Sequence, residues 1–187
     1  MSRLTDGGKT KDEVRLCGPN LLLRPVTLFD VTETYIQWMN DPDVNQYMET
    51  RFRSQGREDV EAYVRDAGND PNSYFFAMLY APEDRHIGNI KLGLISTAHK
   101  RGDISLWIGD RSFWGRGLAT EAIVLVRDFA CQTLGLHKLR AGCYENNIGS
   151  ARAFEKAGFI HEATQKHDFI CQGQYVDRWW FSFFCRQ

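Results

Sequence analysis

The chain has 187 residues, which suits one domain able to bury about 70% of the surface its unfolded form exposes. Hydrophobic residues are 43% and charged residues 25%, which excludes a disordered, collagenous or disulfide-scaffold chain. Lys+Arg 23 against Asp+Glu 24 gives a net charge of −1. That leaves no basic footprint for nucleic acid, and no apolar run is long enough to span a membrane.

In chain order, residues 1–13 are polar, lack the apolar stretch of a secretory leader and read as a flexible tail. A single domain is expected over residues 14–187. Asn20–Pro25 reads as a strand closed by proline. Phe29–Met39 places Val31, Tyr35, Trp38 and Met39 at helical spacing and ends at Asn40-Asp41-Pro42. Arg57–Ala67 is a second helix with Val60, Tyr63, Val64 and Ala67 on one face. Ser73–Tyr80 is an apolar strand. Ile87–Ile95 is another, with Ile90, Leu92 and Leu94 facing inward against Asn89 and Lys91. Gly102–Gly109 is a third, with Ile104, Leu106 and Ile108 on one face. Leu118–Leu134 is the strongest helix, capped by Gly135. His137–Tyr144 is a strand, Ile148–Ala157 a short helix stopped by Gly158, and Phe159–Phe169 with Gln174–Phe184 a final pair turning at Gln172-Gly173. Helices inserted in a meandering run of strands predict an α+β, or mixed α/β, fold without strict βαβ alternation.

The five cysteines, Cys17, Cys131, Cys143, Cys171 and Cys185, are odd in number and form no C-x-x-C pair. No metal site is expected. Free, mostly buried thiols in a reducing cytoplasm are the simple expectation.

Chemistry concentrates in two segments. In Gly109–Ala122 a strand ends, a turn holding Gly115 and Gly117 follows, and an amphipathic helix begins. Such a turn aims main-chain N–H groups at one point, and the helix N-terminus adds its own, which makes an anion site. Arg116 adds a charge. Leu118 and Ala119 stand where a Walker A loop needs Lys and Ser/Thr, and no G-x-G-x-x-G occurs. In Asn146–Phe159, Asn146 or Asn147 can cap a helix that carries Ser150 in its first turn and Gly158 at its end.

With Trp114-Gly115-Arg116-Gly117-Leu118-Ala119, Thr120-Glu121-Ala122, Asn147-x-x-Ser150, Phe154-Glu155-Lys156-Ala157-Gly158-Phe159 and Gly173-x-Tyr175-x-Asp177 in that order, the chain resembles the GCN5-related N-acetyltransferases (GNAT). The likeness is to the branch with ribosomal-protein, polyamine and amino-sugar acetyltransferases, and it runs from about Asn20 to Phe184. It implies a mostly antiparallel sheet of about seven strands flanked by about four helices, and acetyl-CoA as co-substrate. Trp114 to Thr120 would hold the pyrophosphate. Leu106, Trp107 and Ile108 would pair with the pantetheine arm, and Asn147 and Ser150 would contact it. Arg85 to Thr120 carries six Lys/Arg against two acids, a suitable neighbourhood for a polyphosphate.

Acetyl transfer needs a neutral amine, a stabilised oxyanion and a protonated leaving thiolate. The family's frequent tyrosine acid is Phe154 here, so Ser150 is the expected substitute, with Tyr144 behind it. Asp103 and Asp177 are the expected bases, Asp177 through a raised pKa in an aromatic row; Asp168 and Glu49 are further options. The acceptor is expected to be a small-molecule amine, first a nucleotide-linked amino sugar bound by Tyr47, Glu49, Arg51 and Arg53, with Arg51, Arg53 and Arg57 able to grip a diphosphate and Tyr47 or Phe52 to stack on a base or sugar. Residues 30–70 also hold ten acids against four arginines, which suits a polyamine or a protein N-terminus. A non-catalytic acyl-CoA sensor is the third reading, and a homodimer is left open.

Overall fold

The computed structural model describes residues 10–186; residues 1–9 of the expected tail lie outside them. Lys11–Glu13 form a short turn whose Lys11 ammonium is donated to the Ala67, Gly68 and Asp70 carbonyls at 2.8–3.2 Å. Those carbonyls end a helix and have no partner within it, so a lysine there satisfies them.

Eight strands form one sheet: β1 (Leu16–Cys17), β2 (Leu21–Pro25), β3 (Tyr74–Tyr80), β4 (Arg85–Ser96), β5 (Arg101–Ile108), β6 (Lys138–Tyr144), β7 (Ile160–Cys171) and β8 (Gln174–Phe184). Their order is β1-β2-β3-β4-β5-β6-β8-β7. Every pairing is antiparallel except β5 with β6.

Among the described residues five α-helices flank it: α1 (Glu33–Asn40), α2 (Pro42–Asn45), α3 (Arg57–Asn69), α4 (Leu118–Asp128) and α5 (Ile148–Lys156). α1 starts later than expected. Thr27–Asp30 is a separate turn in which Asp30 takes the Arg24 guanidinium (2.8 and 2.6 Å) and the Thr27 N–H (2.7 Å). Thr32 then caps α1 by accepting from the Tyr35 N–H. α2 and the turn Glu49–Phe52 carry no apolar periodicity and were not expected.

α4 lays Leu118, Ala122, Ile123 and Val126 on one face of the sheet, against Phe76, Ile90, Leu92, Ile104 and Leu139. Glu121 on its first turn accepts from the Asn20 and Leu21 N–H groups (2.8 and 2.9 Å), which fixes α4 to the start of β2. α1 and α3 cover the other face around Tyr35, Val60, Val64 and Phe75.

Two expectations need correction here. Leu94 is 75% exposed. A bulge between Gly93 and Ser96 breaks the alternation and sets Leu94 at φ +48°, so its side chain turns out of the core. Not all thiols are free. α4 runs on into a π-helical turn, Phe129–Thr133, and Cys131 in that turn is disulfide-bonded to Cys185 at the end of β8, Cα–Cα 5.4 Å. Spacing of 54 residues in sequence hid the pair. Cys143 and Cys171 are buried and free, and Cys17 is exposed and free. Among the described residues, no helix is long and apolar enough to cross a membrane.

Candidate active site

β5 and β6 stay together for three residue pairs only: Arg101↔Lys138, Gly102↔Leu139 and Asp103↔Arg140. Beyond them β5 continues against β4 as far as Ile108, and β6 continues against β8 as far as Tyr144. The two strands therefore part into a wedge in the middle of the sheet. Its facing edges have main-chain N–H and C=O groups with no neighbouring strand to pair with. Such edges accept an extended chain bearing amides.

A cleft of about 950 Å³ passes through this wedge. On the α1/α3 face it is lined by Tyr35, Met39, Ser105, Trp107, Gly142, Tyr144 and Trp180. On the other face it meets Leu106, Cys143, Asn147, Ser150 and Phe154. Strand alternation produces the split, since successive side chains point to opposite faces.

The glycine turn follows directly from β5. The Trp114 indole N–H donates to the Ile108 carbonyl at 2.8 Å and pins the turn to the strand end. Gly115 (φ +73°) and Gly117 (φ +80°) have open space where a Cβ would stand, so it is their left-handed backbone that requires glycine. Gly117 caps α4, and the first-turn amides of Leu118, Ala119 and Thr120 have no acceptor within the helix. Arg116 is exposed above the Phe113 ring, 4.7 Å away. The turn is therefore open, carries donors and a cation, and suits a pyrophosphate. Leu118 itself is core, 3% exposed, so only its N–H is available. The turn and Ile108 lie outside the cleft's lining, on the α4 side where β5 ends.

α5 begins at Asn147, whose side chain accepts from the Ser150 N–H at 3.2 Å. Ser150 itself lines the wedge wall. Phe154, one turn on, is 2% exposed and packs on Phe159 and Phe181. The position without a titratable proton has thus been absorbed by the core.

Both expected bases are committed elsewhere. Asp103 lines the cleft but is gripped by Arg140 through two hydrogen bonds of 2.9 Å. Asp177 lies outside the lining. It accepts from Lys166 Nζ (2.6 Å) and the His167 N–H (3.0 Å), and these hold its pKa below the ordinary carboxylate value rather than above it. Aromatic neighbours in the sequence suggested desolvation, but a cation from the paired strand decides the sign. Asp168 lines the cleft in an ion pair with Arg178 at 2.9 Å.

The acceptor wall is a mesh of side chains around the turn after α2. Tyr47, Glu49 and Arg53 line the cleft; Arg51 does not. Arg51 spans from this turn to the far side. Its guanidinium donates to the Met48 carbonyl (2.9 Å), the Tyr144 hydroxyl (2.8 Å) and the Ile170 carbonyl (2.6 Å). It is a strut and not a diphosphate clamp. The Tyr144 hydroxyl donates to Glu49 Oε1 at 2.7 Å, and its ring stacks on Phe169 at 3.9 Å. Burial first, then the Glu49 carboxylate, push the Tyr144 pKa up to about 12. That proton is held and is a poor one to give to a thiolate. Burial likewise raises Cys143 to about 11, so its thiol stays neutral.

Sequence reasoning missed Arg140, Trp180 and Phe169. Each sits on the α1/α3 face of β6, β7 or β8, where only sheet register shows that it borders the wedge.

Residues 20–160 match the family model described as an acetyltransferase (GNAT) domain. The "Probable N-acetyltransferase YjcK" of Bacillus subtilis (strain 168) is 31% identical over 169 residues, 87% of this chain and 92% of that protein. Human alpha/beta-tubulin-N-acetyltransferase 9 is 28% identical over 80% of this chain and 76% of its own length. Among solved structures, the Vibrio cholerae spermidine N-acetyltransferase in complex with CoA and spermine superposes with a TM-score of 0.79 at 20% identity, covering 90% of this chain and 97% of that one. RimL, a ribosomal L7/L12 alpha-N-protein acetyltransferase in complex with coenzyme A, gives 0.80 at 15%, covering 91% and 98%. With three-quarters of its length inside the family model, its sheet split at β5 and β6 and its glycine turn at α4, this chain belongs to the GNAT acetyltransferases.

Proposed function

We propose that the chain transfers acetyl from acetyl-CoA to the α-amino group of a peptide or protein N-terminus. The wedge edges of β5 take the amide-bearing arm. The turn Trp114–Gly117 and the first amides of α4 take the pyrophosphate, with Arg116 beside it. Acetyl-CoA supplies an activated acyl group. The chain's own residues orient the arm, hold the acceptor at Glu49 and offer the Ser150 hydroxyl as the proton source for the departing thiolate.

One observation carries the choice of acceptor. Three of the four candidate bases, Asp103, Asp177 and Asp168, are tied to Arg140, Lys166 and Arg178, and the fourth, Glu49, is bonded to the Tyr144 hydroxyl. An α-amine with a pKa near 8 is about 10% neutral at pH 7, whereas an amine near 10.4 is neutral at about 0.04%. The first can react without a dedicated base. Glu49, exposed in the cleft, gives its ammonium form a docking point. A polyamine is the second reading, favoured by the acids of residues 30–70. The nucleotide-sugar reading loses its main support because Arg51 is occupied.

The test is thiol release from acetyl-CoA across peptides with free and blocked N-termini, spermidine and a 4-amino nucleotide sugar. Saturable release with free N-termini alone is expected, with kcat falling about a hundredfold in Ser150→Ala. Release with spermidine alone would move the assignment to the second reading.

A further inference from the structure

The last pair joined across β5 and β6 is Asp103 and Arg140, and these two side chains form the two-pronged ion pair. The carboxylate comes from the strand that leaves one way and the guanidinium from the strand that leaves the other. The pair therefore sits at the apex of the wedge. Arg140 is held from its far side as well. Its guanidinium lies 5.5 Å from the Trp180 ring on β8, and Arg178 lies 5.3 Å from the same ring while pairing with Asp168. Trp180 can lie across β6 because position 142 is glycine; a Cβ there would come within 3.3 Å of the ring. Both partners are largely covered, at 20% and 28% exposure, so solvent screens the pair less than a surface bridge.

We infer that the Asp103–Arg140 pair is a positioning device that sets where β5 and β6 part. It thereby sets how deep the acyl arm of the co-substrate can enter. Asp103 acts through Arg140 and does not touch the reacting amine. This rests on the reading that the wedge holds the acyl arm. A planar guanidinium matters here, because it meets the carboxylate with two bonds while lying over the Trp180 ring.

The test is a calorimetric titration of acetyl-CoA into the full chain without any acceptor. Wild type is compared with Asp103→Asn, Arg140→Gln, Arg140→Lys and the exchange Asp103→Arg with Arg140→Asp. Loss of one partner is expected to weaken binding about tenfold, since the other charge is left largely covered and unpaired. Arg140→Lys, which keeps the charge and loses the fork, is expected to fall between. The exchange, which restores the ion pair but gives up the guanidinium over Trp180, is expected to recover part of the loss, and unchanged urea midpoints in the single variants would separate weakened binding from a folding defect. With any acceptor that turns over, the acidic limb of the pH–rate profile stays in place in Asp103→Asn. Unchanged binding in every variant would overturn the inference. So would unchanged binding in Asp103→Asn with loss of turnover and of the acidic limb, which would make Asp103 the base. Because no acceptor is present, failure of the peptide reading leaves the binding result intact. A wild-type chain that binds no acetyl-CoA would overturn both.

Discussion

On the α4 side the approach to the cleft is bounded by main chain; on the α1/α3 side it is bounded by a mesh of side chains. The α4 side consists of a strand edge, two left-handed glycines and a helix start, braced from behind by the Cys131–Cys185 tie. The other side consists of Tyr47, Glu49, Arg51 and Tyr144, knitted by hydrogen bonds that reach across 93 to 119 residues of sequence, with Arg53 beside them in the lining. A ligand shared by a family can be held by main chain, which no substitution alters directly. A ligand peculiar to one member has to be held by side chains. The comparison predicts that damage on one side leaves the other's ligand unaffected.

The largest expected effect is on stability. Reducing the disulfide, or replacing Cys131 by Ser, frees a loop of about 54 residues. It is expected to cost about 2–4 kcal/mol, read as a lower urea midpoint with a somewhat steeper slope, because the unfolded chain without the cross-link exposes more surface. Equal midpoints with and without reductant would mean that α4 stands without the tie.

Next comes Gly117→Val. A β-branched residue at φ +80° is strained by about 1–3 kcal/mol, so acetyl-CoA affinity should fall about tenfold to a hundredfold. Gly117→Asn should lose only a few-fold, because Asn visits this region more readily. Equal losses in both would point to crowding, although the open space around Gly117 argues against that.

Arg51→Ala tests the opposite side. It removes three hydrogen bonds from a charged donor and unfastens the turn after α2 from β6 and β7. With a net loss of about 1–2 kcal/mol, acceptor KM should rise about five- to thirtyfold. Acetyl-CoA affinity should move less than about twofold. A shift in acetyl-CoA affinity as large as the shift in acceptor KM would break the comparison.

The same contrast explains what the sequence disclosed. Glycines at 115, 117 and 158 and the Asn147 cap are local signals, and the elements they bound appear with small shifts at the ends. The fold class follows from periodicity for the same reason. Leu94 was misplaced because a bulge leaves no mark when the residue in the left-handed position is not glycine. Asp177 was misjudged because Lys166 reaches it only through the pairing of β7 with β8. Arg51 looked like an anion clamp because three arginines lie within seven residues; its partners are two carbonyls and a phenol, invisible without register. The disulfide closes over a distance that spacing rules do not cover.

The smallest effect concerns His86, which lies beneath the acceptor wall against Tyr35 and Trp38 at 5.9 and 5.6 Å. Burial lowers its pKa below the ordinary 6.5; Asp30 opposes this and Arg24 adds to it. The fold thus prefers the neutral ring. Its contribution is complete above the unfolded-state value and is lost as pH falls below about 6.5. Asp30 has the separate window of a lowered carboxylate. Burial opposes its ionisation, yet the Arg24 and Thr27 hydrogen bonds prevail, so its contribution persists until pH falls below about 4. Between pH 7 and pH 5 the two are therefore separable. His86→Gln should flatten that part of the stability curve by about 1 kcal/mol or less, while Arg24 and Asp30 remain paired. A curve of unchanged slope in His86→Gln would place the pH response outside the aromatic cluster. Retained acetyl-CoA affinity in the same variant would again separate the two sides of the cleft.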